Sequence, residues 1–137
     1  MVKIKNVRLK DYDYKENGYY FVTIISSYRQ NLLLGKEILI KDQLNDLISK
    51  VSGLSVDYFV VMPNHIHLIL ILESSSLPLG EIVRRFKARV AKETGEKIWQ
   101  PNYYEHVIRN ETALNKIREY IINNPDVEIL KFEQFYI

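Results

Sequence analysis

Two of the three histidines in this sequence are separated by one residue, in the run Val60-Val61-Met62-Pro63-Asn64-His65-Ile66-His67-Leu68. The flanking valine, isoleucine and leucine are typical of a strand. Because strand side chains alternate between faces, His65 and His67 project from the same face. Two imidazoles on a rigid strand can bind one divalent metal and leave positions open for a substrate. The alternative is a strand that carries two half-exposed histidines with no such role.

A second pair of reactive groups lies in the run Arg118-Glu119-Tyr120-Ile121-Ile122-Asn123-Asn124-Pro125. Tyr120 and Asn124 are four residues apart, which places them one turn apart on the same face of a helix. A phenol is a weak nucleophile at neutral pH, but a metal that polarises the attacked phosphate lowers the barrier. The alternative is a half-buried helix tyrosine followed by an asparagine at the helix boundary.

Hydrophobic periodicity predicts the elements that must position these residues. The order is β-α-β-β-α-β-α, with strands at 19–25, 54–61, 65–72 and 99–108 and helices at 38–51, 79–94 and 111–123. The first six elements match the split βαβ arrangement, an α+β fold of the ferredoxin-like or RRM-like type. It has an antiparallel four-stranded sheet with helices on one face. The seventh element is an extra C-terminal helix that carries Tyr120, with Leu114, Ile117 and Ile121 on its apolar side and Ile122 as a further candidate.

Composition restricts the classes of function. The chain has 137 residues, of which 47% are hydrophobic and 26% charged, and a net charge of +2, as expected of one globular domain. It contains no cysteine, which excludes disulfides, thiolate metal sites and cysteine nucleophiles. We find no apolar run long enough to span a membrane and no signal peptide, and therefore expect a cytoplasmic protein without membrane association.

Several motifs, in this order, resemble the REP-associated tyrosine transposases, which belong to the single-tyrosine HUH transposases. They span about residues 10 to 125, and their combination is more specific than the histidine pair alone. The motifs are Asp11-Tyr12-Asp13-Tyr14 with Gly18-Tyr19-Tyr20-Phe21-Val22-Thr23, Val61-Met62-Pro63-Asn64-His65-Ile66-His67-Leu68, Ile98-Trp99-Gln100 with Tyr103-Tyr104-Glu105-His106-Val107-Ile108-Arg109, and Tyr120-Ile121-x-x-Asn124-Pro125.

This resemblance implies a metal-dependent transposase that cleaves and rejoins single-stranded DNA at hairpin-bearing, palindromic ends. In the family pattern, Tyr120 matches the nucleophile that forms a 5′-phosphotyrosine link. His65 and His67 match the metal-binding HUH pair, and Asn124 matches a third metal ligand. The implied ion is Mg²⁺ or Mn²⁺, with DNA phosphate oxygens completing its shell.

The resemblance also implies one HUH domain over residues 1–137, with a basic N-terminal segment at 1–10 and a short C-terminal tail at 126–137. Relatives of this kind include both dimers and monomers, so a homodimer stays open. Six further residues are candidates for DNA contacts. They are Arg84, Arg85, Lys87 and Arg89 on the outward face of the second predicted helix, and His106 and Arg109 at the last strand.

Alternatives remain for these residues and for the function. Phosphate binding and simple solvation explain the basic helix face equally well, and a hydrogen-bonded structural role is favoured for His106. A packing role is favoured for Trp99. Two other functions stay open: a HUH nuclease that nicks single-stranded DNA for replication or plasmid transfer, and a non-catalytic nucleic-acid-binding module of the same fold.

Overall fold

The computed structural model describes residues 17–137. The basic segment at 1–10 and the Asp11-Tyr12-Asp13-Tyr14 motif lie outside these residues. The elements are β1 (Gly18–Ile25), α1 (Glu37–Lys50), β2 (Leu54–Met62), β3 (His65–Leu72), α2 (Leu79–Thr94), β4 (Tyr104–Ile108) and α3 (Glu111–Asn123), with short 3-10 helices at Ser27–Arg29 and Phe132–Tyr136.

The four strands form one antiparallel sheet in the order β2-β3-β1-β4. This order and the packing of α1 and α2 against a single face confirm the predicted split βαβ fold. The added helix α3 packs with the C-terminal 3-10 helix against the other face. The bounds of β3, α2 and α3 are those predicted, those of β1 and β2 differ by one residue at one end, and those of α1 differ by one residue at both ends.

The last strand is shorter than predicted, because β4 begins at Tyr104 and not at Trp99. Trp99 makes only an isolated bridge with Ser26, after which the chain leaves the sheet. Pro101 has no N–H to donate to a ladder, and Asn102 has a φ of 66°, in the left-handed region. Trp99 serves in packing and not in strand pairing: its side chain is buried, and its Nε1 donates to the Lys87 carbonyl at 3.0 Å.

Strand β3 contributes to two hydrophobic cores. Its even-numbered residues, from Ile66 to Leu72, pack under α1 and α2. Its odd-numbered residues face α3, and they include both histidines as well as Ile69 and Ile71. An inner strand that is covered on both faces is a rigid support for side chains.

The tyrosine-bearing helix α3 is fixed to the sheet by burial and by one ion pair. A bulge in β2, where the register shifts between Val56 and Tyr58, aims Asp57 toward α3. There Asp57 Oδ2 accepts a hydrogen bond of 2.9 Å from Arg118 Nε.

The buried side of α3 consists of Ala113, Leu114, Ile117 and Ile121. The suggestion that Ile122 joins it is wrong, since that side chain is 62% exposed. Ile122 lies about 100° further round the helix than Ile121 and points to solvent. Within residues 17–137, no helix combines the length and apolarity needed to cross a membrane.

Candidate metal and nucleophile site

The two imidazoles of β3 lie side by side, with ring centroids 4.7 Å apart. Both are buried, with His65 1% and His67 0% exposed. The ring of Phe21, on the neighbouring strand β1, lies 5.3 Å from that of His67. The structure therefore brings the pair together on one face, as the alternation predicts, but the rings are neither half-exposed nor open to solvent.

The Nδ1 atoms of the two rings are held by polar side chains of the sheet. His65 Nδ1 lies 2.7 Å from Asn64 Oδ1, and His67 Nδ1 lies 2.9 Å from the hydroxyl of Thr23, its cross-strand neighbour. Such hydrogen bonds orient imidazoles that bind metals. The sequence analysis assigned no role to Thr23, because its position opposite His67 depends on the β1–β3 register.

The Nε2 atoms of the same rings face the chain that follows α3. His65 Nε2 lies 3.0 Å from the carbonyl oxygen of Pro125, and His67 Nε2 contacts the carbonyl oxygen of Val127. We call residues 125–128 the covering segment. Glu128 anchors it by accepting a hydrogen bond of 3.0 Å from Asn64 Nδ2 and by pairing with Arg29. A metal at both Nε2 atoms would require this segment to move.

The contact between His65 and Pro125 is the weakest link between the histidines and the covering segment. A neutral imidazole has a single N–H, yet Asn64 Oδ1 and the Pro125 carbonyl are both acceptors. With the proton on Nδ1, the Nε2 lone pair of His65 meets the lone pairs of the Pro125 oxygen. That tautomer weakens the contact with the covering segment and is the one that a metal requires.

His67 is different because its second partner is a hydroxyl. Thr23 Oγ1 can donate to Nδ1 while the ring donates from Nε2 to the Val127 carbonyl. The same hydroxyl can accept from Nδ1–H when Nε2 is unprotonated. Thr23 is therefore compatible with both the covered arrangement and a metal-binding one.

Burial sets the charge state of the pair. Desolvation lowers the pKa of His65, and it lowers the pKa of His67 to about 4, although each backbone hydrogen bond acts in the opposite direction. Both rings are therefore neutral near pH 7. Neutral imidazole is the form that can ligate a metal.

Tyr120 and Asn124 are brought together at the C-terminal end of α3. Asn124 closes the helix, its backbone N–H and Nδ2 lying 2.8 Å and 3.0 Å from the Tyr120 carbonyl. The half-buried Tyr120 ring packs edge-on against Phe135, 5.5 Å between centroids. Both predicted residues border an open pocket of about 320 Å³. Because Pro125 follows Asn124 and contacts His65, this end of α3 lies beside the histidines of its own chain.

The donor set suits a weakly bound divalent ion. It consists of two neutral imidazoles and the amide oxygen of Asn124, which has no hydrogen-bond donor within the described part of the chain. Residues 17–137 hold no cluster of three or more His, Cys, Asp or Glu side chains arranged for a metal. These three residues therefore fit a site that takes its remaining oxygen ligands from a substrate phosphate.

The basic residues of α2 are not brought to this site, because α2 covers the opposite face of the sheet. Arg84 and Arg85 both pair with Glu81, which lowers the pKa of that carboxyl to about 2. Lys87 donates to the carbonyls of Gln100 and Asn102, both at 2.9 Å. Arg89 pairs with Asp46 of α1.

His106 and Arg109 hold the C-terminal 3-10 helix. The His106 ring stacks on Phe132 with centroids 4.0 Å apart, and its Nε2 lies 2.6 Å from the Tyr136 hydroxyl. The Arg109 guanidinium lies over the Tyr136 ring, 3.8 Å from its centroid, and 3.9 Å from Glu133. Through Phe135, the same 3-10 helix supports the ring of Tyr120.

Comparison with known proteins identifies the family. Residues 14–124 match the model of the IS200-like transposases, from the motif before β1 to Asn124. The chain belongs to the IS200-like transposase family. It is therefore a member of a family of DNA-processing enzymes, and the resemblance identified from the motifs is confirmed.

Individual relatives agree with this assignment. A REP-associated tyrosine transposase of Escherichia coli K12 is 27% identical over 113 residues, which cover 82% of this chain and 68% of that protein. An uncharacterised protein of Haemophilus influenzae is 38% identical, covering 88% of this chain and 87% of its own. The structure of a REP-associated tyrosine transposase bound to a REP hairpin matches with a TM-score of 0.74 at 25% identity, covering 90% of this chain and 73% of that one.

We predict that His106 makes the stability of the fold pH-dependent. Burial lowers its pKa to about 4, from 6.5 in an unfolded chain. The unfolded state therefore binds the extra proton between these values, so this contribution is complete above pH 6.5 and is lost as the pH falls toward 4. His106→Phe keeps a ring against Phe132 but does not titrate.

The measurement is urea unfolding of both proteins between pH 7.5 and 4.5. The stability advantage of wild type over His106→Phe should shrink by up to about 1.4 kcal/mol for each pH unit below 6.5. His65 and His67 are present in both proteins, so their effects cancel in the difference. An advantage that does not change with pH would contradict the buried neutral state of His106.

Proposed function

We propose that this protein is a metal-dependent transposase that cleaves and rejoins single-stranded DNA at hairpin-bearing ends through a phosphotyrosine at Tyr120. One observation supports the proposal: Tyr120 and Asn124 lie at the end of α3, and the carbonyl of the next residue, Pro125, contacts His65 of the buried histidine pair in the same chain. The family assignment and a structural neighbour that is bound to a REP hairpin support it.

Each residue of the site has a distinct role in this proposal. His65, His67 and Asn124 would hold Mg²⁺ or Mn²⁺, which when bound polarises the scissile phosphate. The Tyr120 hydroxyl loses its proton and its oxygen attacks phosphorus, the bond from phosphorus to the 3′ oxygen breaks, and that oxygen takes up a proton to become a 3′-OH. The 5′-phosphotyrosine retains the phosphodiester energy, so a later 3′-OH can reverse the reaction and join strands.

The covered arrangement also gives weight to a second candidate. Both Nε2 atoms are directed at backbone carbonyls and are not free to bind a metal in this arrangement, as would be the case in a non-catalytic DNA-binding module. Incubation with labelled hairpin DNA and Mn²⁺, followed by a denaturing gel, separates the two. A covalent protein–DNA band supports the transposase, and its absence supports the binding module. Strand joining distinguishes the transposase from a nicking nuclease.

Tyr120→Phe should lower the yield of this covalent band on the order of a thousandfold or more, since only the attacking oxygen is removed. The ring still packs against Phe135, so binding of the hairpin in chelator should be unchanged. Tyr104→Phe is the matched control, because it removes a hydroxyl from a tyrosine that is 42% exposed on β4. His67→Ala should also abolish the band while retaining hairpin binding.

Mass spectrometry of the digested adduct should locate the nucleotide on the peptide that contains Tyr120. An adduct that persists in Tyr120→Phe, or a nucleotide on another tyrosine, would contradict this mechanism.

Arg84 and Arg85 are proposed as phosphate contacts for DNA away from the cleavage site, because their side chains are 67% and 47% exposed on the outer surface of α2. Replacing each by alanine should weaken binding of all DNA sequences alike and reduce the slope of log affinity against log salt by about one. Arg89→Ala is the control, since its side chain is only 27% exposed and is paired with Asp46. Unchanged affinity and slope in the Arg84 and Arg85 variants would leave that surface merely solvated.

A further inference from the structure

The loop after β1 holds a large aromatic ring in solvent at the cost of backbone strain. Tyr28 has φ 53° and ψ 24°, and Arg29 has φ 55°, so two consecutive residues with side chains adopt the left-handed conformation. Such residues are rare and persist where the surroundings impose them, often at functional sites. The Tyr28 side chain is 90% exposed, so its packing does not explain the strain.

The strain is imposed by a dense set of hydrogen bonds around the loop. The buried Ser26 hydroxyl lies 2.5 Å from the carbonyl oxygen of Gln30 and 3.0 Å from that of Asn64. The next residue, Ser27, donates from its backbone N–H to the Ile98 carbonyl at 2.8 Å. The backbone of Tyr28 is therefore held in place before any ligand binds, which reduces the part of the ordering cost that comes from the backbone.

Tyr28 forms one wall of a pocket of about 310 Å³, near the lower end of the range of small-ligand sites. Most of the pocket is apolar, and Lys97 is its cationic group. Within residues 17–137 the Lys97 ammonium forms no ion pair. The lining residues are Ser27, Tyr28, Lys97, Trp99, Gln100 and Pro101. An exposed ring beside an unpaired cation is the arrangement that binds a base and its phosphate.

The pocket lies at the end of the sheet where the histidine strand begins. Ile25 is the cross-strand neighbour of His65, and its carbonyl accepts a hydrogen bond of 2.9 Å from Gln100 of the pocket wall. Ser26 N–H donates to the Asn64 carbonyl at 3.1 Å. Arg29 also pairs with Glu128 of the covering segment. A single DNA strand that approached the histidine pair from this end of the sheet would pass the ring of Tyr28.

We propose that this pocket is a nucleotide subsite, in which one unpaired base of the DNA stacks on Tyr28 while Lys97 binds an adjacent phosphate. The subsite rests on the proposed function, because it assumes a single-stranded DNA substrate. It assigns a DNA-binding role to a residue outside the candidate catalytic set and gives the strained loop a function.

The test is a double-mutant cycle that combines substitutions of Tyr28 with removal of individual bases of the DNA. DNA affinity is measured by fluorescence anisotropy in the presence of chelator, so that no cleavage occurs. The probe is a DNA hairpin with unpaired flanks, in which each unpaired position is replaced in turn by an abasic site. Tyr28→Asn removes the ring but tolerates the left-handed conformation. Tyr28→Phe retains the ring, and Ile38→Ala is the control for loss of exposed apolar surface, since Ile38 is 79% exposed on α1.

We expect Tyr28→Asn to weaken binding about fivefold or more, which is the lower end of the contribution of base–aromatic stacking. Tyr28→Phe and Ile38→Ala should remain within about twofold of wild type. One abasic position should cost wild type the same factor and cost Tyr28→Asn nothing further, which is the signature of direct contact. The thermal midpoint of Tyr28→Asn should not fall, because strain is relieved, so a loss of binding cannot be attributed to unfolding.

The single tryptophan gives a second readout, since Trp99 lines the pocket. The hairpin probe should change its fluorescence, and the abasic position that couples to Tyr28 should reduce that change. If wild type binds the probe and no position couples to Tyr28, the subsite is refuted and the proposed function stands. If wild type binds none of the oligonucleotides, the proposed function fails as well.

Discussion

Two buried imidazoles on the inner strand β3 impose the constraint on which the site depends, since polar ring nitrogens removed from water must find partners. Asn64 and Thr23 supply partners for the Nδ1 atoms from the sheet itself. The Nε2 atoms obtain theirs from the carbonyls of Pro125 and Val127. The chain after α3 is therefore attached to the histidines by the same atoms that a metal would use.

The Pro125 and Val127 carbonyls and a metal would compete for the same Nε2 atoms. This competition links the position of α3, which carries Tyr120, to the chemistry of the site. The ion pair of Arg118 with the bulged Asp57 and the stacking of His106 on Phe132 fix α3 and the C-terminal 3-10 helix to the sheet. The contact of His65 with Pro125 is weakened in the neutral tautomer that carries its proton on Nδ1, because Nε2 then has no hydrogen to donate. In the proposed mechanism, binding of a divalent ion requires the covering segment to leave the Nε2 atoms of both rings.

The sequence predicted the elements that have strong local signals. The bounds of β3, α2 and α3 agree with the structure because each has a clear apolar period and a polar or proline boundary. The prediction that the fourth strand begins at Trp99 was wrong, since Trp99 is held by packing and by one isolated bridge and not by a strand ladder. The position of the covering segment over the histidines could not be predicted from the sequence. Its contacts are made by backbone carbonyls, which every residue has, so no residue type signals them. The role of Thr23 depends on strand register, which one sequence does not specify.

The most direct test of the central claim is a crystal structure of the protein with Mn²⁺ and an uncleaved hairpin oligonucleotide, using anomalous scattering at the manganese edge. The Tyr120→Phe variant keeps the DNA intact during the experiment. We predict one anomalous peak in contact with Nε2 of His65 and of His67 and with Oδ1 of Asn124, and the carbonyls of Pro125 and Val127 displaced from the rings. Manganese bound elsewhere, with both carbonyls still on the imidazoles, would contradict the account.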